Sequence, residues 1–134
     1  MTPAGVLETC LYADDLEAAA AFYTGVLGLT VVGREAGRHV FFRCGASMLL
    51  VFNPHRCRAD GASDVPRHGS VGPGHVALAV AEADVDPWLA RLAELGIPVE
   101  QVITRPAGRS VYFRDPAGNS VELVTPAIWG LASA

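Results

Sequence analysis

The chain has 134 residues, 51% apolar and 18% charged, with a formal net charge of −4. That length and composition suit one packed domain and exclude a disordered chain. The ten basic residues are all arginine and scattered, which argues against nucleic acid or an anionic membrane as a partner, and no apolar run approaches the roughly 20 residues that span a bilayer.

Met1-Thr2-Pro3-Ala4-Gly5 has no basic flank before an apolar stretch, so no secretory signal is expected. Three cysteines form an odd number without metal-ligand spacing. Cys10 and Cys44 lie in apolar strands and read as buried free thiols. A reducing cytoplasm is the expected location.

Val6 to Ala13 reads as a strand. Asp14 is a good helix N-cap, with Glu17 three positions on, and Leu16, Ala19, Ala20, Phe22, Tyr23, Val26 and Leu27 recur at helical spacing up to Gly28. Strands are predicted at 29–33, 39–44 and 47–52. Residues 53–73 are rich in Pro and Gly and read as an irregular connection, too short for a domain and long enough to suggest a lid or a mobile segment. The order then repeats. A strand at 75–80 is followed by a helix that begins at Asp84 or Asp86, carries Trp88, Leu89, Leu92 and Leu95, and ends at Gly96. Strands follow at 99–104, 110–114 and 121–125, the last two joined by the turn Asp115-Pro116-Ala117-Gly118-Asn119. The tail Pro126-Ala127-Ile128-Trp129-Gly130 is apolar and suited to dock on the body or on a partner subunit.

The repetition extends to the residues. Gly37-Arg38-His39-Val40-Phe41-Phe42-Arg43-Cys44 returns as Gly108-Arg109-Ser110-Val111-Tyr112-Phe113-Arg114-Asp115, five of eight identical. The expected fold class is therefore α+β: two tandem βαβββ modules, with mixed sheets and helices outside. The expected boundaries within a single 1–134 domain are 5–53 for the first module, 54–73 for the connection, 74–126 for the second module and 127–134 for the tail.

Strand residues alternate faces. With the Val/Leu face packed on the helices, Glu8 and His75 take equivalent positions on the opposite, concave face. Aligning Gly45-Ala46-Ser47-Met48-Leu49 on Gly118-Asn119-Ser120-Val121-Glu122 sets Leu49 against Glu122, so one copy has a core residue where the other has a carboxylate. A half-buried Glu122 is costly unless paired, hydrogen-bonded or metal-bound. Of the four slots at 8, 49, 75 and 122, three hold potential ligands and one holds leucine.

Leu7-Glu8-Thr9-Cys10-Leu11-Tyr12-Ala13-Asp14-Asp15-Leu16, Phe22-Tyr23, Val26-Leu27-Gly28-Leu29, Gly74-His75-Val76-Ala77 and Phe113-Arg114-Asp115-Pro116-Ala117-Gly118-Asn119-Ser120-Val121-Glu122-Leu123 resemble the glyoxalase/bleomycin-resistance/extradiol-dioxygenase superfamily, also called vicinal oxygen chelate. The resemblance implies paired modules around a cup, a homodimer, and metal ligands on the outer strands. His75 and Glu122 then stand where such families place a His and a Glu ligand. Glu8 fills a slot more often held by His or Gln, and Leu49 limits any site to three ligands. Two carboxylates and an imidazole suit one divalent ion, Mn²⁺, Fe²⁺, Ni²⁺, Zn²⁺ or Mg²⁺.

Plainer roles stand beside these. Glu122 would be satisfied by an arginine or a backbone N–H, His75 by a neighbouring carbonyl, and Glu8 by His75 or an arginine. Cys10, Tyr12, His39, Phe41, Arg43, Leu49, Tyr112 and Arg114 are the candidate substrate-pocket residues, the arginines either holding an anionic group or pairing with acidic residues at the rim. His55 and His68 are expected to be solvated. The reading that follows is a metal-dependent enzyme of isomerase, lyase, transferase or ring-cleaving type acting on a small oxygenated molecule. The alternative is a ligand-sequestering, bleomycin-resistance-like module that does no chemistry.

Overall fold

The computed structural model describes residues 1–59, 61 and 64–132; residues 60, 62 and 63 of the connection and 133–134 of the tail lie outside the described residues. The chain divides into two units, Met1–Pro73 and Gly74–Ala134. Each carries the βαβββ order. The first has β1 (Glu8–Tyr12), α1 (Leu16–Gly25), β2 (Thr30–Glu35), β3 (His39–Cys44) and β4 (Ser47–Phe52), followed by α2 (Pro54–Ala59). The second has β5 (His75–Ala79), α3 (Val85–Glu94), β6 (Val99–Arg105), β7 (Gly108–Arg114) and β8 (Ser120–Val124). Each unit forms its own four-stranded sheet, in the orders β1-β4-β3-β2 and β5-β8-β7-β6. Within each, the first strand pairs parallel with the last and the other pairs are antiparallel. The architecture is α+β with mixed sheets, as the repeated pattern predicts.

Local chemistry sets the helices. Asp15, one residue later than expected, caps α1 by accepting from the Ala18 N–H at 2.9 Å. The helix buries Ala19, Phe22 and Tyr23, and the Tyr23 ring lies 5.4 Å from that of Phe42 on β3. Val40, Phe42, Leu49 and Val51 complete that core, while in the second unit Val111, Phe113, Val121 and Leu123 are buried together with Leu92 of α3. Leu95, expected on the apolar face of α3, is exposed. Gly28 and Gly96 follow their helices with φ of 69° and 68°, the left-handed conformation that glycine adopts freely.

The connection is not irregular throughout. Asn53 accepts from the His55 and Arg56 N–H groups at 3.1 and 3.0 Å, so it caps α2, and Pro54 takes the first helical position where no N–H is needed. Cys57 of α2 is buried in a cluster with Leu50 and Phe52, against which Cys10, Tyr12, Phe41 and Met48 pack. A short apolar contact therefore makes this helix, where Pro and Gly content alone suggested none. Among the described residues, no helix is long and apolar enough to cross a membrane.

The sheets correct one element of the repeat alignment. Phe41 pairs with Leu50 on β4, and Tyr112 pairs with Glu122 on β8. The structural counterpart of Glu122 is therefore Leu50, not Leu49. The turn after Arg43 has four residues before Met48, whereas that after Arg114 has five before Ser120. A one-residue difference in a turn moves a strand residue to the opposite face. Leu49 pairs with Thr9 and Phe42, is 1% exposed, and belongs to the helix-side core rather than to a substrate pocket. Leu49→Ala should accordingly cost about 2–5 kcal/mol of stability, read as a lower urea midpoint with unchanged slope; a loss within the range of a surface substitution would contradict this register.

Candidate functional site

On the face of the second sheet opposite α3, strands β5, β8 and β7 bring His75, Glu122 and Tyr112 together. His75 opens β5, and parallel pairing sets Ala77, two residues on, against Glu122. The His75 Nε2 atom lies 3.3 Å from Glu122 Oε2. Tyr112 donates its hydroxyl proton to Glu122 Oε1 at 2.9 Å, and its ring stacks on that of His75 with centroids 6.5 Å apart. The Glu122 side chain is only 9% exposed, whereas that of His75 is 51% exposed. A buried carboxylate inside an apolar strand needs partners, and here it has them. Burial and the Glu122 carboxylate hold the Tyr112 hydroxyl above the ordinary phenol pKa, with smaller opposing contributions from Ser110 and Arg105.

The other ring nitrogen of His75 lies 3.1 Å from the Ser120 carbonyl oxygen. A carbonyl only accepts, so Nδ1 carries a proton, and in the neutral form of the ring Nε2 is the nitrogen with the lone pair. Two electron-pair donors, Nε2 and Oε2, thus face one another at 3.3 Å. Such a pair is satisfied by a proton on Nε2 or by a cation between them. An imidazole that donates through one nitrogen to a carbonyl and presents the other is the usual setting of a metal-binding histidine. The donor set fits a divalent ion. Ala77 and Ala79, on the same face, are small and exposed, which leaves space beside the pair.

The first unit is built differently. Glu8 opens β1 as His75 opens β5, and it is exposed. Within each unit, no group of three His, Cys, Asp or Glu side chains comes together among the described residues. Where the second sheet has open space, the equivalent face of the first is filled. Cys10, Tyr12 and Phe41 pack around Leu50, Phe52 and Cys57. His39 stacks on Phe41 with ring centroids 4.0 Å apart. His68, expected to be solvated, is half-buried: its Nδ1 shares a 2.7 Å hydrogen bond with the Tyr12 hydroxyl, and its ring meets that of Phe52 edge-on at 4.6 Å. His55 does lie at the surface, 3.4 Å from Asp14. Burial raises the pKa of the Cys10 thiol, and Glu8 and Cys57 add to this, so Cys10 is not an activated nucleophile.

The candidate arginines divide. Arg43 is exposed at the end of β3. Arg114 donates to Glu100 at 2.9 Å and to the Gly118 carbonyl at 3.1 Å, so its guanidinium is engaged by an acidic side chain. That contact raises the Arg114 pKa and lowers that of Glu100. Arg109, which sequence reasoning did not single out, is bonded to Glu82 at 2.7 Å and Asp86 at 2.6 Å.

Comparisons with known proteins bear on this arrangement. Residues 5–123 match the model of the Glyoxalase/Bleomycin resistance protein/Dioxygenase superfamily. No curated protein matches the chain. Among solved structures, one described as lactoylglutathione lyase from Agrobacterium tumefaciens is 48% identical, with a TM-score of 0.93 over 98% of this chain and 100% of that one. A glyoxalase/bleomycin resistance protein/dioxygenase from Nocardioides is 26% identical, with a TM-score of 0.72 over 93% of this chain and 85% of its own. An integron cassette protein from the Halifax Harbour sewage outfall metagenome, at 20% identity and a TM-score of 0.74 over 92% and 99% of the two chains, shares the fold.

One titration follows from the packing of His39. Burial, and then the neighbouring Arg38, lower its pKa below 6.5, against a smaller opposing effect of Glu35. Arg38 donates to its Nδ1 at 2.8 Å, a bond that protonation of Nδ1 would remove. The unfolded chain therefore takes up this proton first, and stability falls as pH drops through about 6.5. His39→Gln should show a shallower loss of urea midpoint between pH 7.5 and pH 5 than the wild type; equal losses in both proteins would refute this assignment.

Proposed function

This chain belongs to the Glyoxalase/Bleomycin resistance protein/Dioxygenase superfamily, and from that premise we propose that it is a divalent-metal-dependent enzyme acting on a small oxygenated organic substrate. His75 and Glu122 are the ligands this chain offers on one sheet face, with Glu8 proposed as the third. The observation that carries the reading is the facing pair of His75 Nε2 and Glu122 Oε2, 3.3 Å apart. Held by these residues, a divalent ion would supply Lewis acidity toward the oxygens of a small substrate.

The protein's own groups prepare that pair. The Ser120 carbonyl fixes the His75 tautomer, so that Nε2 is the nitrogen on offer. Tyr112 occupies Oε1 of Glu122 and leaves Oε2 turned to His75. The exposed Ala77 and Ala79 leave room for a substrate on the same face. Of the isomerase, lyase, transferase and ring-cleaving chemistries, the similarity to the lactoylglutathione lyase of A. tumefaciens favours lyase chemistry. A cytoplasmic homodimer belongs to the same reading.

Leu50 supports the non-catalytic alternative to one extent: it takes the place of Glu122 in the first unit and cannot ligate. Metal analysis separates the two. Protein purified without chelator should hold, or take up on titration with Mn²⁺, Ni²⁺ or Zn²⁺, one ion per chain. His75→Ala and Glu122→Ala should each weaken uptake by about 100-fold or more, and Tyr112→Phe by about 10-fold, since it removes only a hydrogen bond to a ligand. A wild-type protein that takes up no divalent ion would leave the ligand-sequestering reading in its place.

A further inference from the structure

The turn between β7 and β8 does more than reverse the chain. Asp115 is 5% exposed and Asn119 is 1% exposed. Asp115 Oδ1 accepts from the Ala117 and Asn119 N–H groups at 3.0 and 2.8 Å, and its Oδ2 accepts from the Asn119 side-chain amide at 2.9 Å. Since Nδ2 donates to Asp115, Oδ1 of Asn119 is directed elsewhere: it accepts the Gly74 N–H at 2.7 Å, from 45 residues away. The Gly74 carbonyl in turn accepts the Ser120 N–H at 2.9 Å. Gly74 is thus gripped at both its polar groups by consecutive residues, the last of the turn and the first of β8. The next residue along is His75, and two residues beyond Ser120 stands Glu122.

The first unit serves as an internal control. There the Met48 N–H donates to the Leu7 carbonyl at 3.0 Å, the counterpart of the Ser120–Gly74 backbone bond. The residue before Met48 is Ser47, paired with Cys44 in a tight hairpin, and no side-chain bond to the Leu7 N–H is seen among the described residues. A βαβββ sheet therefore forms without the buried Asp–Asn grip. It occurs in the unit whose first and last strands carry the facing imidazole and carboxylate.

We infer that Asp115 and Asn119 are positioning residues: through Gly74 they set the height of β5 against β8, and so hold His75 Nδ1 on the Ser120 carbonyl and Nε2 opposite Glu122. As a claim about metal binding this rests on the reading above; as a claim about the His75 ring it does not. Two measurements on the full chain test it: Ni²⁺ affinity by calorimetry, and long-range ¹H–¹⁵N spectra of histidine-labelled protein, which report the protonated ring nitrogen.

In Asn119→Ala, Ni²⁺ affinity should fall about 10- to 100-fold, the usual cost of losing support behind a ligand, and the His75 Nδ1–H signature should be lost. Combining Asp115→Asn with Asn119→Asp reverses the side-chain hydrogen bond, keeps an acceptor for Gly74, and should restore most of both. Leu92→Ala, which destabilises the helix-side core without touching the grip, should keep wild-type affinity. If Asn119→Ala does not fold, Asn119→Asp, which sets two carboxylates against each other, takes its place with the same expectations. A folded variant with wild-type affinity and an intact Nδ1–H would overturn the inference, as would an equal loss of affinity in Leu92→Ala. Should the wild type bind none of Mn²⁺, Ni²⁺ and Zn²⁺, the metal reading falls and the His75 tautomer alone decides.

Discussion

Everything at the site depends on the parallel pairing of β5 with β8. A strand that begins a module and one that ends it, with a helix and two strands between them in sequence, become neighbours at the sheet's edge. Only this pairing brings an imidazole from residue 75 to a carboxylate at residue 122. Because side chains alternate along strands, the pairing also sorts chemistry by face. Val76, Val121 and Leu123 are buried, and Glu122, His75 and Tyr112 share the other side. The apolar half stabilises the sheet and lets the polar half carry a carboxylate that burial would otherwise penalise.

The two units show how little separates a packed surface from a prepared one. Both use the same strand order, and both skip a residue in the pairing of one edge strand, between Val31 and Gly33 in β2 and between Val99 and Gln101 in β6. On the first sheet, α2 and His68 contribute side chains to the cluster around Phe52, and the aromatic rings satisfy one another. On the second, the ring of Tyr112 meets His75 while its hydroxyl goes to Glu122. Phe41 and Tyr112 occupy matching positions, so a single oxygen atom marks much of the difference between them.

The repeat, the βαβββ succession of elements and the polarity of residue 122 were legible in the sequence because each is a local pattern or a direct comparison of two copies. The equivalence of Glu8 and His75 was legible too, since both begin their strands. Leu50 was not, because matching Gly45 to Gly118 hides the extra residue in the longer turn, and a slip of one reverses the face. Nor was α2, whose Asn53 cap and Pro54 start were present but outweighed by the Pro and Gly around them. The grip on Gly74 left no local trace: Asp115 reads as a turn former, and its partner's other bond crosses to a distant strand.

The difference in turn length also bears on protein engineering. Exchanging Leu50 for glutamate, Phe41 for tyrosine and Glu8 for histidine would copy the three side chains of the second unit onto the first, yet the copy would lack the buried turn behind them. A working duplicate needs the five-residue loop as well as the side chains, because the loop, not the ring or the carboxylate, determines where the first strand stops sliding. In this fold the portable unit of function is a turn together with the two strands it fastens.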